Sequence, residues 1–175
     1  MTKIFKTLVL VFILSTSSFY ALQAQTTQEE FLAKWNTMKG YTVEILEAIP
    51  EDKLGFKPVE EVNSFDEMVM HLAGGNVMMA KNFLGGADPT MDMESVSMTK
   101  ADLKKALEYS FDYVAETCKG LSDDELAEQI EVFGGAMITR RQAENLIDSH
   151  GIHHRGNLVV YLRLNGIKPP QFRAW

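Results

Sequence analysis

A chain of 175 residues suits one domain around one core rather than two. Its formal charge of −7 argues against a sequence-independent nucleic-acid binder, which needs a basic face to displace counterions from phosphate, and against a peripheral binder of anionic lipid. The single cysteine, Cys118, rules out an intramolecular disulfide, so stability has to come from packing.

The first segment reads as a targeting signal. Met1-Thr-Lys3-Ile-Phe-Lys6 is basic, residues 7–14 form an apolar run, and Ser15 to Ala24 turns small and polar. This order predicts a secretory signal peptide over residues 1–24, cut near Ala24-Gln25. The domain then runs over residues 25–175 and is exported, periplasmic or secreted, with no stable membrane insertion after cleavage. The apolar run falls short of the ~20 residues needed to span a bilayer. An uncleaved anchor is the alternative. Loss of Lys3 and Lys6 would take the charge from −7 to −9.

The rest reads as four or five amphipathic helices. Thr27-Gln-Glu-Glu30 has the pattern of a capping box, in which a hydroxyl and a carboxylate satisfy free amides at a helix start. Phe31, Leu32, Trp35, Met38, Ile45, Leu46 and Ile49 follow at helical spacing, with Pro50 as the stop. Ser64-Phe-Asp-Glu67 opens a second helix that stops around Gly85-Gly86. Glu67 is read there as a cap rather than a catalytic base. Residues 87–98 carry no periodic apolar face and are expected to be a loop. Thr99 starts a third helix that ends at Gly120, and Ser122-Asp-Asp-Glu125 caps a short one to about Ile130. Residues 131–138, with Gly134-Gly135, read as an extended excursion or a hairpin. Thr139-Arg-Arg-Gln142 opens a long last helix closed by Asn165-Gly166 and stopped by Pro169-Pro170. The expected fold is all-α, a helix bundle and most simply a four-helix one.

The four histidines are His71 on the second helix and His150, His153 and His154 on the last. At about 100° per residue, His150 and His154 lie one turn apart on one face, so both imidazoles can reach one ion. His153 points away. Ala143, Leu146, Ile147, Asn157 and Tyr161 share the side of His150, which is otherwise apolar; a buried, unpaired polar group there would cost about 1–3 kcal/mol. A divalent metal on His71, His150 and His154 satisfies these nitrogens, whereas the plainer reading is a set of core histidines. Gly74 and Gly75, beside His71, either leave space above a metal or let a neighbouring helix approach. Three nitrogen ligands suit zinc or nickel, with iron or manganese admissible, and leave coordination positions open. Asn157 and Tyr161 are placed to touch a small-molecule substrate, or serve as ordinary polar residues of a helix interface.

The run His150-Gly-Ile-His153-His154-Arg155-Gly156-Asn157-Leu158, with Tyr161-Leu-Arg163 and Gly166-Ile-Lys-Pro169-Pro170, resembles the last-helix signature of DinB/YfiT-like proteins. Ala48-Ile-Pro50-Glu-Asp-Lys-Leu54, Pro58, Ser64 and His71-Leu-Ala73 resemble the entry to that family's second helix. The resemblance implies an up-down-down-up four-helix bundle, frequently a homodimer. It implies metal ligation by His71, His150 and His154. Characterised members include thiol-dependent S-transferases and a thiol-dependent maleylpyruvate isomerase.

Three functions follow as expectations. One is a metal-dependent enzyme, either a hydrolase or a transferase using a low-molecular-weight thiol; export favours hydrolysis, since small thiols should be scarce outside the cytosol. The second is a metal-binding module without turnover. The third is a partner-binding bundle in which the ten methionines are core filler. Phe172 and Trp175 either pack in a homodimer or fold back on their own bundle. The acidic chain gives no support to a role on DNA.

Overall fold

The computed structural model describes residues 28–174. The expected leader and the Thr27 cap lie outside that range. Four long helices dominate: α1 at residues 28–48, α2 at Phe65–Leu84, α3 at Lys100–Lys119 and α5 at Arg140–Leu164. A short helix α4, Asp123–Ala127, precedes a two-stranded antiparallel hairpin of β1, Gln129–Glu131, and β2, Met137–Thr139.

The helix starts are set by side chains. Ser64 accepts from the Glu67 amide while the Glu67 carboxylate accepts from the Ser64 amide, and the same reciprocal box forms at Ser122/Glu125 and Thr139/Gln142. Glu67 is thus held as a cap, with these hydrogen bonds to Ser64 and then Lys57 lowering its pKa. Helix α2 ends at Gly85 in the left-handed region, φ 77°, where a side chain would be strained. The short helix ends at Ala127 rather than near Ile130, because Ile130 is drawn into the ladder opposite Ile138. The segment 131–138 is therefore the tip and return of a hairpin. Its turn takes Gly134 and Gly135 at φ 73° and 79°.

Cross-helix contacts set the directions. Gln28 reaches the Cys118 carbonyl, Trp35 Nε1 donates to the Phe111 carbonyl, and Lys104 pairs with Glu47, so α1 and α3 are antiparallel. Gln28 to Glu144, Lys34 to Asp148 and Tyr41 to Arg155 run in step, so α1 and α5 are parallel. Met68 and His71 meet His154 while Gly85 meets Arg140, so α2 opposes α5. Asn76 meets Ser110 and Gly86 meets Thr117, so α2 and α3 are parallel. The arrangement is up-down-down-up.

The core between these helices contains Trp35, Ile45, Phe65, Leu72, Leu103 and Phe111, each at most 1% exposed. Burying one such side chain contributes roughly 1.5–3 kcal/mol. Residues 165–174 turn back over α1 and α5, where Phe172 meets Tyr41 edge-on and Arg173 pairs with Glu44. Phe172 thus touches its own bundle through Tyr41 but stays 72% exposed, and Trp175 lies outside the described residues. No helix among the described residues is long and apolar enough to cross a membrane.

Candidate metal centre

The antiparallel seam of α2 and α5 brings three of the four histidines together. His71 Nε2 and His154 Nε2 are 3.1 Å apart. Ring centroids are separated by 4.4 Å for His150–His154, 4.4 Å for His71–His154 and 5.3 Å for His71–His150. One ligand atom from each of the three lies within 4.8 Å of the others. Nitrogens bound at about 2.0–2.1 Å to one ion stand roughly 3 Å apart, so the cluster is close to a ligating geometry. His153 contributes no ligand atom; it is exposed and stacks edge-on against His154 at 4.8 Å.

The site is shallower than the helical wheel implied. His150 and His154 are half-buried, and His71 is exposed. The expectation of histidines enclosed by core is corrected here: position 71 lies at the outer edge of the seam, where one side of the imidazole stays open to solvent.

Two features outside the histidines shape the cluster. Met68 Sδ lies 3.1 Å from His154 Nδ1. An N–H on Nδ1 directed at that thioether leaves the Nε2 lone pair facing His71. Met68 sits three residues before His71, a spacing that placed it on the right face without revealing its contact. The second feature is Gly75. A Cβ at this position would meet His150 Cε1 at 2.5 Å and Nε2 at 3.0 Å. The space left by Gly75 is thus filled by the His150 ring of the neighbouring helix, the close approach read as the alternative for this glycine, rather than being room above a metal. At Gly74 a Cβ would meet nothing within 4 Å.

The electrostatics keep the lone pairs free. Burial, then the neighbouring His71 and His153, push His150 down to about 4. Burial, then His150, His71 and His153, push His154 down to about 4 as well. Both are neutral at pH 7. His150 Nδ1 is buried with no hydrogen-bond partner among the described residues, a cost of about 1–3 kcal/mol that a bound cation or a water would relieve. The donor set, the unpartnered nitrogen and the neutral rings all fit one divalent cation.

The two residues expected to touch substrate differ. Asn157 is half-buried and makes no side-chain hydrogen bond among the described residues. Tyr161 is 5% exposed, and its hydroxyl donates to the Asn63 carbonyl at 2.9 Å. That phenol ties α5 to the entry of α2. A groove of about 580 Å³ runs along α2, lined by Gly74, Met78 and Asn82 and by Met91 and Met93 of the 87–98 loop; none of the histidines lines it. Tyr109 holds that loop, its hydroxyl accepting from the Thr90 amide at 2.8 Å. The loop methionines had no periodicity to mark them, and only the tertiary fold lays them beside α2.

Comparison with known proteins agrees with this fold. The family model described as DinB family matches residues 22–175. The protein YjoA of Bacillus subtilis is 28% identical over 131 residues, 73% of this chain and 84% of the relative. The crystal structure of that DinB-like protein superposes with a TM-score of 0.67 at 26% identity, covering 82% of this chain and 96% of that one. A DinB-like protein of Bacillus cereus gives 0.71 at 16% identity, covering 83% and 97%. A mycothiol-dependent maleylpyruvate isomerase gives 0.58 at 13% identity, covering 75% and 60%.

Proposed function

The chain belongs to the DinB family, and from that footing we propose that it is a metal-dependent enzyme acting on a small molecule, a hydrolase in the first reading. The observation that carries this is the convergence of His71, His150 and His154 within 4.8 Å at a solvent-facing seam. Three ligands from the protein leave coordination positions for water or substrate, whereas a closed structural site takes four. A divalent ion held there would supply Lewis acidity and lower the pKa of a bound water or thiol.

The protein's own residues define the rest of the site. Met68 and Gly75 hold the His154 and His150 rings in place, and the groove lined by Gly74, Met78 and Asn82 is assigned to the body of a substrate held at the cluster. Asn157, one turn from His154 with its amide unpaired, is the polar group assigned to substrate. Tyr161 supports that face from beneath, its hydroxyl already bonded to Asn63.

A second reading, S-transfer from a low-molecular-weight thiol, takes its motive from the neighbour named as mycothiol-dependent. The signal peptide expected over residues 1–24, with export to the periplasm or exterior, favours hydrolysis. Assembly as a homodimer belongs to the same proposal.

The test is metal content by plasma mass spectrometry on untagged protein, beside the His150→Ala/His154→Ala variant, followed by hydrolysis assays on ester, amide and phosphoester panels and thiol-transfer assays. About one equivalent of metal in the wild type, lost in the variant, together with a metal-dependent turnover, supports the proposal. A wild type that stays empty after incubation with zinc, nickel, manganese and iron(II) overturns it.

A further inference from the structure

The face of α5 turned away from the histidines carries a feature that the metal centre does not use. Ile152, Arg155, Gly156, Val159 and Arg163 recur at helical spacing about 180° from His150 and His154. With Tyr41 of α1 and the returning tail, they line a cavity of about 340 Å³. This lies at the lower end of the range of small-molecule sites, about 300–1,000 Å³.

Arg155 is the reason to read this cavity as a site. It is 5% exposed, yet its guanidinium makes no hydrogen bond and no ion pair among the described residues. It lies over the Tyr41 ring, 5.7 Å from Cζ to the centroid, and within the field of Asp148. The nearby acid, Asp148, is engaged by Lys34, and Glu44, one turn past Tyr41, is engaged by Arg173. Asp148 offsets the Arg155 charge only at a distance and shares its own with Lys34, so the guanidinium, with no hydrogen bond of its own, is free to pair with an anion entering the cavity. Arg163 adds a second positive charge at the exposed end. The remaining walls, Ile152, Val159, Pro169 and Phe172, are apolar.

Gly156 is a second, separate observation. Glycine inside a helix costs roughly 1 kcal/mol relative to alanine. A Cβ here would meet no atom within 4 Å, so close packing does not demand the glycine. What the missing side chain does is keep the cavity wide beside Arg155. We propose that this cavity is a second binding site, for a small carboxylate with an apolar body, in which the carboxylate pairs with Arg155 and the apolar body lies against Ile152, Val159 and Phe172.

The probe is sodium octanoate, titrated into the full mature chain by calorimetry and by methyl NMR, with octanamide and acetate alongside. Octanoate should bind at least about tenfold more tightly than either control, with shifts at the Ile152 and Val159 methyls. Arg155→Met should abolish the preference for octanoate over octanamide. Gly156→Leu should weaken octanoate by about tenfold or more. Leucine is the better helix former, so a melting temperature that does not fall separates lost binding from lost folding. Equal binding of octanoate and octanamide overturns the proposal, as does octanoate binding that is unchanged in Gly156→Leu.

Discussion

His150 and Gly75 are fitted to each other: the imidazole occupies the volume that a Cβ on α2 would need, 2.5 Å from its Cε1. This explains a glycine pair in the middle of a 20-residue helix, where each glycine costs roughly 1 kcal/mol. One of the two is fixed by packing against His150, and the other is not.

The pair therefore separates under mutation. Gly75→Ala should push the His150 ring off the cluster and weaken metal binding by about 10- to 100-fold, the usual scale for losing support behind a ligand. Gly74→Ala should leave the metal in place and raise stability by roughly 0.5–1 kcal/mol, since its Cβ meets nothing. Competition titration with a chromophoric chelator and urea denaturation measure the two effects. Equal metal affinity in both variants would sink the account.

His153 is adjacent to the cluster without belonging to it. His153→Ala should retain a full equivalent of metal, with affinity lowered by less than about tenfold, because only the edge contact to His154 is lost. His71→Ala should lose the metal on dialysis. Reversed results would mean that the ligand set is wrong.

Glu144 gives a pH signature away from the histidines. It is 3% exposed, and burial pushes its carboxyl above the ordinary value, opposed by hydrogen bonds from Gln28 and Cys118. A carboxyl raised in the folded state stabilises most when protonated. Its cost to the fold is absent below the unfolded value near 4.5 and grows as pH rises through the folded value. Glu144→Gln should thus stabilise the protein at pH 7.5, with the gain shrinking toward pH 4. Denaturation midpoints at both pH values check this, and a gain that is flat with pH would contradict it. The Cys118 thiol beside it is pushed well up, by burial first and then by Glu144, so it should resist alkylation in the folded protein.

Tyr161→Phe removes the bond to the Asn63 carbonyl. A loss of about 1 kcal/mol is expected, with metal content unchanged. If a substrate is in hand, its KM should move with Asn157→Ala and stay put with Tyr161→Phe. A KM shift in Tyr161→Phe at intact stability would instead place the phenol against the substrate.

Much of the architecture was legible in the chain because it rests on local rules. The hydroxyls of Ser64, Thr99, Ser122 and Thr139 each accept an amide at their helix start, and Gly85 and Gly166 close α2 and α5 at positive φ. Periodicity alone put His150 and His154 on one face, and the family resemblance matched His71 to them. Spacing along one helix could not say how deep that face would lie. Depth is set by how α2 and α5 meet, and the seam leaves His71 at its edge. Nor could local rules separate Gly74 from Gly75, whose difference is the position of one imidazole on another helix. The setting of Arg155, without a direct ion pair, was equally hidden, because an arginine's partners are decided only when distant segments pack: Lys34 takes Asp148, Arg173 takes Glu44, and the tail lines what remains.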